Sequence, residues 1–372
     1  MKCKLSDICD FRKGKVEVEN LNAKNYVSTE NMLPNKCGIT EASSLPTVSS
    51  TQEYNSGDVL ISNIRPYFKK IWQAKYDGGC SNDVLVFVPK PNTDKDFLYY
   101  VLADDDFFTY SMATSKGTKM PRGDKNSIMQ YEVPLIDLQV QKKIASVLKV
   151  LDEKIELNNE INNNLEQQAQ TIYQQMFIDN ARSDWAEGTL SDIADITMGQ
   201  SPSGSSYNED GTGTIFFQGR AEFGFRFPSV RLYTTEPKRM ARSNDTLMSV
   251  RAPVGDLNVA HMDCCIGRGL AAIHSKSHHQ SFVLYTMFSL KKQLDVFNGE
   301  GTVFGSINRN SLNDMPIFIP SDDILDEFER IVAPMDLTIR NNYDENCRLQ
   351  DIRDTLLPRL MSGELDVSDI DI

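Results

Sequence analysis

The sequence predicts an α+β fold in which two tandem mixed α/β domains are separated by long helices that form an antiparallel coiled coil. Its 372 residues exceed the size at which a single hydrophobic core usually stops growing. The two halves resemble each other along their length, which indicates an internal pseudo-two-fold repeat. Each half ends in a segment whose apolar residues recur every three or four positions, the spacing of a coiled-coil helix.

The repeat is clearest when the chain is aligned with itself at an offset of 184 residues. At this and neighbouring offsets, the matches are Gly117-Thr118 with Gly301-Thr302, Asn126-Ser127 with Asn310-Ser311, Asp152 with Asp336, and Leu5-Ser-Asp-Ile8 with Leu190-Ser-Asp-Ile193. We therefore expect four segments: a mixed domain over 1–137, a central spacer helix over 138–180, a second mixed domain over 181–320, and a C-terminal spacer helix over 321–372.

Short β-rich runs alternate with turn clusters in both mixed segments, which is typical of an α+β domain. A helix is expected after the strands of each copy, over Phe97–Phe107 and over Ser281–Val296, where apolar residues recur at helical spacing. The pattern leaves the order of the strands open.

The helical segments carry the clearest signal, because their apolar residues step by four and three, as in an a/d heptad seam. The predicted seam consists of Leu151, Ile155, Asn158, Asn162 and Leu165 in the first helix and of Met335, Ile339, Asn342, Asn346 and Leu349 in the second. An antiparallel pair is expected, since a parallel pair would set the mixed domains side by side and leave the helix length without a role. The alternative is a shifted register in which the asparagines face solvent. Pro334 is expected to kink the second helix and Pro358 to end it.

The net charge of −13 argues at first sight against nucleic acid, because DNA affinity depends largely on Lys and Arg that neutralise phosphates. The acidity, however, is concentrated in the helical segments. Residues 321–372 hold 5 Lys or Arg against 14 Asp or Glu, and residues 137–180 hold 4 against 7. The mixed segments are close to neutral and can carry basic surfaces.

Seven cysteines without paired CxxC spacing are typical of reduced thiols in a cytosolic protein. The first residues lack an apolar stretch of signal-peptide length, and the longest apolar runs are too short to span a bilayer. We expect a cytoplasmic protein.

Four stretches resemble a known family. Ile144-Ala-Ser-Val-Leu-Lys-Val-Leu-Asp-Glu-Lys-Ile155 and Arg353-Asp-Thr-Leu-Leu-Pro-Arg-Leu-Met-Ser-Gly-Glu-Leu365 are similar to the central and C-terminal conserved regions of type I restriction enzyme specificity subunits. Ser56-Gly-Asp-Val-Leu-Ile-Ser-Asn-Ile-Arg-Pro66 and Cys265-Ile-Gly-Arg-Gly-Leu-Ala-Ala-Ile273 resemble parts of the target-recognition domains of that family. The resemblance is strong in the helices and thinner in the mixed segments.

The resemblance implies a non-catalytic subunit without a cofactor, whose two target-recognition domains each read one part of a bipartite site in double-stranded DNA. The helices would hold the domains apart and bind two modification (methyltransferase) subunits, and restriction (translocase and nuclease) subunits would join through the complex. A stiff spacer suits this role, because two recognition units on one duplex must lie about a helical turn apart, or a multiple of it, to face the same side.

A cationic loop in the first mixed segment is the leading candidate for DNA contact. Glycines and a proline in it let the backbone approach a phosphate closely. Its cations are Lys116, Lys119, Arg122 and Lys125, and the matching stretch of the second copy holds Arg309. The alternative is an ordinary solvated loop.

A second candidate group combines cations that can reach phosphates or guanine edges with aromatic rings that can contact thymine methyls or an extruded base. Its cations are Arg65, Lys69 and Lys70, and its aromatic residues are Tyr67, Phe68 and Trp72. The alternative is that the rings belong to the core.

The second copy has a longer basic tract broken by Phe and Tyr, part of which is expected to be ordinary surface. The tract contains Arg220, Arg226, Arg231, Lys238, Arg239, Arg242, Arg251 and Arg268, of which Arg220, Arg251 and Arg268 are the candidate contacts.

Enzymatic alternatives lack their motifs. An amino-methyltransferase needs a Pro-Pro-containing motif for the flipped base and a complete Gly-rich turn, and an ATP-driven translocase needs a GxxxxGK[ST] loop. Glu236-Pro-Lys238 could belong to a nuclease, but a proline in a turn-like stretch favours a loop. A coiled-coil scaffold that does not bind DNA is the remaining alternative.

A zinc site is a further possibility raised by the histidines and cysteines of the second copy. The candidate ligands are His261, Cys264, Cys265, His274, His278 and His279. Four ligands at workable spacing are needed, and adjacent cysteines on a strand point to opposite faces. The sequence therefore predicts no metal site and no catalytic residue.

Overall fold

The structure is a computed structural model of the chain, and it describes residues 2–299 and 305–367. Its internal contacts divide the chain into two units. The first comprises Met1–Glu156 and Cys347–Ile372, and the second comprises Leu157–Asn346. Each unit thus combines one mixed segment with part of both long helices.

The first unit begins with short strands and helices. Its strands are β1 (Lys2–Lys4), β2 (Cys9–Phe11), β3 (Lys15–Glu17), β4 (Tyr26–Val27), β5 (Ser50–Tyr54), β6 (Val59–Ser62), β7 (Ile71–Gln73), β8 (Gly78–Cys80), β9 (Val84–Pro89) and β10 (Glu132–Pro134). Its helices are α1 (Leu5–Ile8), α2 (Lys95–Ala103), α3 (Asp105–Ala113), α4 (Lys125–Ile128) and the part of α5 (Leu138–Tyr173) that ends at Glu156.

The strands of the first unit form two four-stranded sheets and a two-stranded ribbon of β1 with β10. One sheet has the order β2-β9-β6-β7 and is antiparallel, whereas the other, β3-β5-β8-β4, contains the parallel pair β4 and β8. Strand β6 is buried on both faces, because Val59 and Ile61 pack with Phe97 of α2 while Leu60 packs with Trp72. This explains why β6 is a continuous apolar run rather than an alternating one.

The second unit repeats this pattern. Its strands are β11 (Ala186–Thr189), β12 (Ala194–Met198), β13 (Tyr207–Asn208), β14 (Thr214–Phe217), β15 (Leu232–Thr234), β16 (Met240–Ala241), β17 (Thr246–Ser249), β18 (Leu257–Val259), β19 (Cys264–Ile266), β20 (Leu270–Ser275) and β21 (Pro316–Ile319). Its helices are α6 (Leu190–Ile193), α7 (Gln280–Ser289), α8 (Lys291–Leu294), α9 (Arg309–Asn313) and parts of α5 and of α10 (Asp322–Ser362).

Each sheet of the second unit has a counterpart in the first unit. The antiparallel sheet β12-β20-β17-β18 corresponds to β2-β9-β6-β7, and the ribbon of β11 with β21 corresponds to that of β1 with β10. The remaining sheet, β13-β15-β14-β19-β16, again contains a single parallel pair, β14 with β19, among its described strands. The internal repeat predicted from the sequence is therefore confirmed.

The long helices pair side by side within each unit. In the second unit, Nδ2 of Asn158 donates to Oδ1 of Asn346 at 2.9 Å, and Nδ2 of Asn342 donates to Oδ1 of Asn162 at 2.8 Å. Residue numbers rise along α5 as they fall along α10, so the helices run in opposite directions. In the first unit, Nη1 of Arg353 donates to Oδ1 of Asp152 at 2.8 Å in the same register. The predicted antiparallel pairing is confirmed.

The seam positions face the partner helix in both units. Asn158 and Ile339 are fully buried, and Asn162, Asn346 and Ile155 nearly so. The other members are partly buried: Leu151, Leu165, Met335, Asn342 and Leu349. The asparagines therefore do not lie on a solvated face.

Three helix boundaries differ from those predicted. Helix α10 continues through Pro334 and Pro358 and ends at Ser362, because Leu360 and Met361 are buried in the first unit's core and hold the last turn in place. The stretch predicted as one helix over Phe97–Phe107 is two helices, since Asp104 stops α2 and caps α3. Helix α7 ends at Ser289 rather than near Val296.

Candidate nucleic-acid interface

The cationic loop of the first unit is a small hairpin. The backbone N–H groups of Lys116 and Arg122 each donate to the other residue's carbonyl at 2.9 Å, and Gly117 takes the positive φ of +94° that the turn requires. The hairpin presents Lys116, Lys119 and Arg122 on exposed positions, followed by exposed Lys125 at the start of α4.

The hairpin lies against the loop that carries the second candidate group. The N–H of Arg65 donates to the carbonyl of Pro121 at 2.8 Å, and the N–H of Gly123 donates to that of Asn63 at 3.2 Å. A Cβ on Gly123 would come within 2.7 Å of Oδ1 of Asn63 and 2.8 Å of Ile128, so a larger residue here would force these side chains to shift. The two cation groups, about 50 residues apart in the chain, are thus brought together.

Two cations of the hairpin form ion pairs with carboxylates. Arg122 forms an ion pair of 3.0 Å with Asp83, and Lys116 bonds to Asp124. The Lys116 ammonium and the N–H of Ser127 together lower the pKa of Asp124 to about 2. Asp83 and Asp124 were not predicted from the sequence, although the N-cap pattern before α4 could have indicated Asp124.

Cations of the neighbouring loop are less accessible. Lys69 forms an ion pair of 2.8 Å with Asp105, and the ammonium of Lys70 donates to the carbonyl of Thr29 at 2.6 Å. Burial lowers the pKa of Lys70. Arg65 is partly buried, and its Nε lacks a hydrogen-bond partner among the described residues.

The aromatic residues of this loop divide between surface and core. Tyr67 and Phe68 are 49% and 38% exposed, with ring centroids 4.7 Å apart, and can contact a ligand. Trp72 is buried and packs edge-on against Tyr54. The core alternative is therefore correct for Trp72 alone.

The second unit repeats the junction between the two loops. The N–H of Ala252 donates to the carbonyl of Gly305 at 2.9 Å, and the N–H of Ile307 donates to that of Val250 at 3.1 Å. These bonds match those of Arg65 and Gly123 in the first unit. Arg251 is exposed at this junction, where it forms a β-bridge with Ser306.

Two further arginines lie on loops that adjoin this junction. The N–H of Val250 donates to the carbonyl of Gly269 at 2.9 Å, and the N–H of Gly269 donates to that of Gln218 at 3.2 Å. Arg268 and Arg220 therefore sit beside Arg251, on exposed positions. A Cβ on Gly269 would approach Gln218 and Gly219 to 2.8 and 3.1 Å, which explains the glycine in this stretch. Arg220 forms an ion pair of 2.6 Å with Asp256.

Arg309 and Arg226 have different positions. Arg309 is exposed at the first position of α9, whereas residues 301–304 of the matching loop lie outside the described residues. Arg226, part of the predicted basic tract, is only 5% exposed and pairs with Asp336 at 3.1 Å. Arg226 thus forms an interior ion pair and does not contribute to an exposed basic surface.

The residues raised as zinc ligands do not form one cluster. His261 pairs with Asp344 at 2.7 Å, and His274 pairs with Asp245 at 2.6 Å. Cys264 is buried in β19, where desolvation raises the pKa of its thiol to about 12 and disfavours the thiolate that a metal needs. His278 and His279 lie elsewhere, beside Asp326.

Comparisons with known proteins agree with this architecture. The family model for the type I restriction modification DNA specificity domain matches residues 1–167. The provisionally assigned type I restriction enzyme MjaX specificity subunit of Methanocaldococcus jannaschii is 28% identical, over 84% of this chain and 79% of its own length. The type I restriction enzyme HindI specificity subunit of Haemophilus influenzae is 24% identical, over 91% of this chain and 94% of its own length.

A solved structure shows the same fold. The S subunit of a type I restriction-modification system from M. genitalium superposes with a TM-score of 0.57 at 16% identity, covering 99% of this chain and 96% of that one. In this chain, that fold is a repeated mixed domain with paired antiparallel helices. The family model and the sequence relatives support a DNA specificity subunit of a type I restriction-modification system. None of the described helices combines the length and apolar character needed to cross a bilayer.

Proposed function

We propose that residues 1–137 and residues 181–320 are target-recognition domains that each read one part of a bipartite site in double-stranded DNA. The observation that carries this proposal is the junction of two cation-bearing loops, which recurs with the same backbone hydrogen bonds in both units. In the first unit the junction carries Arg65, Lys116 and Arg122, and in the second it carries Arg251. Exposed cations close to a glycine-rich backbone suit phosphate contact, and arginine also suits bidentate contact with guanine.

The ion pairs at these cations are compatible with DNA binding. Asp83 and Asp256 form ion pairs with Arg122 and Arg220, and a phosphate or guanine edge can share or displace such a solvent-accessible carboxylate. Tyr67 and Phe68 add exposed rings beside the cations of the first domain. We assign contact first to the hairpin cations and Arg65, and second to Lys69 and Lys70, whose ammonium groups already have protein partners.

A domain exchange tests this proposal. Residues 1–137 are replaced by the matching domain of another specificity subunit, and the methylated sequence is mapped on genomic DNA from cells that also contain the modification subunit. One half of the site should change, while the other half and the gap stay the same. The reciprocal exchange of residues 181–320 should change the other half. A change in both halves after either exchange would show that the domains do not read DNA independently.

The long helices are proposed to be the spacer and the docking surface for two modification subunits, through which restriction subunits join the complex in the cytoplasm. Apolar residues off the seam support this assignment. Val150 and Ile352 are 59% and 47% exposed in the first unit, and Leu157 and Leu337 are 50% and 56% exposed in the second. Exposed apolar side chains on an otherwise charged surface are typical of a protein interface.

Substitution on the helix surface tests the docking proposal. Leu157→Asp with Leu337→Asp should reduce co-purification of the modification subunit without unfolding the chain, because neither side chain lies in the seam. Val296→Asp is the matched control, since Val296 is 81% exposed but lies outside the long helices. The assignment would be contradicted if Val296→Asp reduced co-purification equally, or if the double variant left co-purification unchanged.

A further inference from the structure

Two adjacent histidines and one aspartate converge at the point where helix α7 begins. Nε2 of His278 and Nε2 of His279 both lie 2.9 Å from Oδ1 of Asp326, which projects from the start of α10. The candidate ligand atoms of the three residues all lie within 4.8 Å of one another. All three residues belong to the second unit.

The surroundings of the cluster fix the ring of His279 and leave the cluster open to solvent at Asp326. The side chain of His279 is 4% exposed, and its Nδ1 lies 2.8 Å from Oγ of Ser277, which sets the orientation of the ring. His278 packs against it, with ring centroids 4.2 Å apart. Asp326 is 59% exposed, so an ion can reach the cluster from solvent. A histidine whose second nitrogen is hydrogen-bonded is the usual arrangement at a metal ligand.

The ligand chemistry favours a borderline divalent ion. Two imidazole nitrogens and a carboxylate oxygen are a common ligand set for Zn²⁺ and chemically similar ions, with remaining positions filled by water. Without an ion, each ring must carry its hydrogen on Nε2 to bond to the same carboxylate oxygen. An ion would replace both hydrogens and join all three side chains through one centre.

We propose that His278, His279 and Asp326 bind a zinc-class divalent ion that ties the turn before α7 to the beginning of α10. The proposal is independent of how the domains read DNA. It assigns the ion a structural role, since α7 belongs to the mixed segment and α10 to the long helical segment of the same unit. Sequence inspection misses the site, because Asp326 is 47 residues beyond His279.

The first copy provides an internal comparison. Thr93 and Asp94 precede α2 as His278 and His279 precede α7. Lys142 has the place in α5 that Asp326 has in α10, so the ligand set is absent there. The same turn is tied instead by Gln141, whose Oε1 accepts from the N–H of Asp94 at 2.9 Å and whose Nε2 donates to the carbonyl of Asn92 at 3.2 Å. A link between turn and long helix is therefore common to both units. In the second unit the three candidate ligands provide that link.

Zinc binding is measured on untagged full-length protein that has been stripped with a chelator and kept reduced. Equilibrium dialysis should give one Zn²⁺ per chain, and zinc should raise the thermal midpoint, because an ion that binds only the folded state stabilises it. His278→Ala and Asp326→Asn should each weaken binding at least about tenfold. His278 is 77% exposed, so its variant should fold even if substitution of buried His279 does not.

His261→Ala is the matched control, because His261 forms a His–Asp pair in the same unit without a second histidine. Zinc binding should survive in it. Failure of the wild type to bind, loss of binding in the control, or unchanged binding in both ligand variants would overturn the proposal. Substituted Co²⁺ should give a spectrum without a thiolate charge-transfer band, and such a band would assign the ion to cysteines instead.

Discussion

The hydroxyl of Tyr100 donates a hydrogen bond of 2.8 Å to Oδ2 of Asp152 and so joins a helix of the first mixed segment to the long helix α5. The second unit repeats the bond, since the hydroxyl of Tyr285 donates to Asp336 at 2.9 Å. Each aspartate also binds an arginine, Arg353 in the first unit and Arg226 in the second. A charged, partly buried acceptor shared in this way fixes how each mixed segment sits on its own helix.

Tyr100→Phe should destabilise the first unit by about 1.5–3 kcal/mol, the range for a hydrogen bond to a charged group. Urea denaturation measures the free energy of unfolding. Tyr110→Phe is the matched control, because its hydroxyl donates at 3.0 Å to a neutral carbonyl, that of Ser127, and should lose only about 0.5–1.5 kcal/mol. Equal losses of unfolding free energy in both variants would mean that the charge of Asp152 does not strengthen the bond.

The matching bond in the second unit should make the stability of the protein depend on pH in the alkaline range. Burial, followed by the charge of Asp336, raises the pKa of Tyr285 above its ordinary value of 10.0. The unfolded chain therefore releases this proton at a lower pH than the folded chain. Stability from the neutral hydroxyl is complete below pH 10.0 and is lost as the pH rises beyond it.

Tyr285→Phe removes that titration. Its free energy of unfolding should fall less than that of the wild type between pH values of about 9 and 11. Denaturation curves at several pH values provide the comparison, and Tyr67→Phe, at an exposed position, should follow the wild type. Parallel declines in wild type and Tyr285→Phe would refute this account.

Local periodicity predicted much of the fold. The seam and its asparagines follow from spacing along one helix, and the repeat supplied a second copy of the same signal. The antiparallel pairing follows from the helix length, which a parallel pair would leave without a role. Helix α10 passes through Pro358 because Leu360 and Met361 are buried against distant residues. That packing has no local signature.

Which cations are accessible depends on partners far along the chain, and this limited the prediction of the site. Arg226 and Arg220 look alike in sequence. The first is buried against Asp336, 110 residues later, whereas the second is half exposed beside Asp256. Spacing could not separate them. The adjacency of the Arg65 loop and the hairpin of Lys116 likewise depends on backbone hydrogen bonds that no residue pattern encodes.

Replacement of Lys116, Lys119 and Arg122 by alanine should weaken DNA binding by the assembled complex and reduce its salt dependence. For every cation that no longer neutralises a phosphate, the slope of log K against log salt should become shallower by about 0.9. Filter binding at several salt concentrations measures it. Lys2→Ala with Lys4→Ala, on exposed positions of β1, is the control and should leave the slope unchanged. A wild-type slope in the triple variant would exclude the hairpin from the DNA interface.

The seam predicts that the first half of the chain can pair with itself. Asn158 binds Asn346, which is the repeat copy of Asn162, and Asn162 binds Asn342, the copy of Asn158. In an antiparallel dimer of residues 1–180, Asn158 of one copy would therefore meet Asn162 of the other. The buried positions of Leu357 and Met361 would be taken by Tyr173 and Phe177, which are also apolar.

We therefore expect residues 1–180 to sediment as a dimer and, with the modification subunit, to methylate an interrupted palindrome built from the first half-site, because a two-fold dimer reads two-fold DNA. Arg353 corresponds to Ala169, so Asp152 has no arginine partner in this dimer, and Ala169→Arg should tighten association. Leucine at Asn158 and Asn162 should preserve association but allow the two helices to pair in more than one register, since buried asparagines specify alignment. The gap between the two half-sites in the methylated DNA should then vary in length. A monomeric fragment, or a dimer that methylates only asymmetric sites, would show that the two helices are not interchangeable.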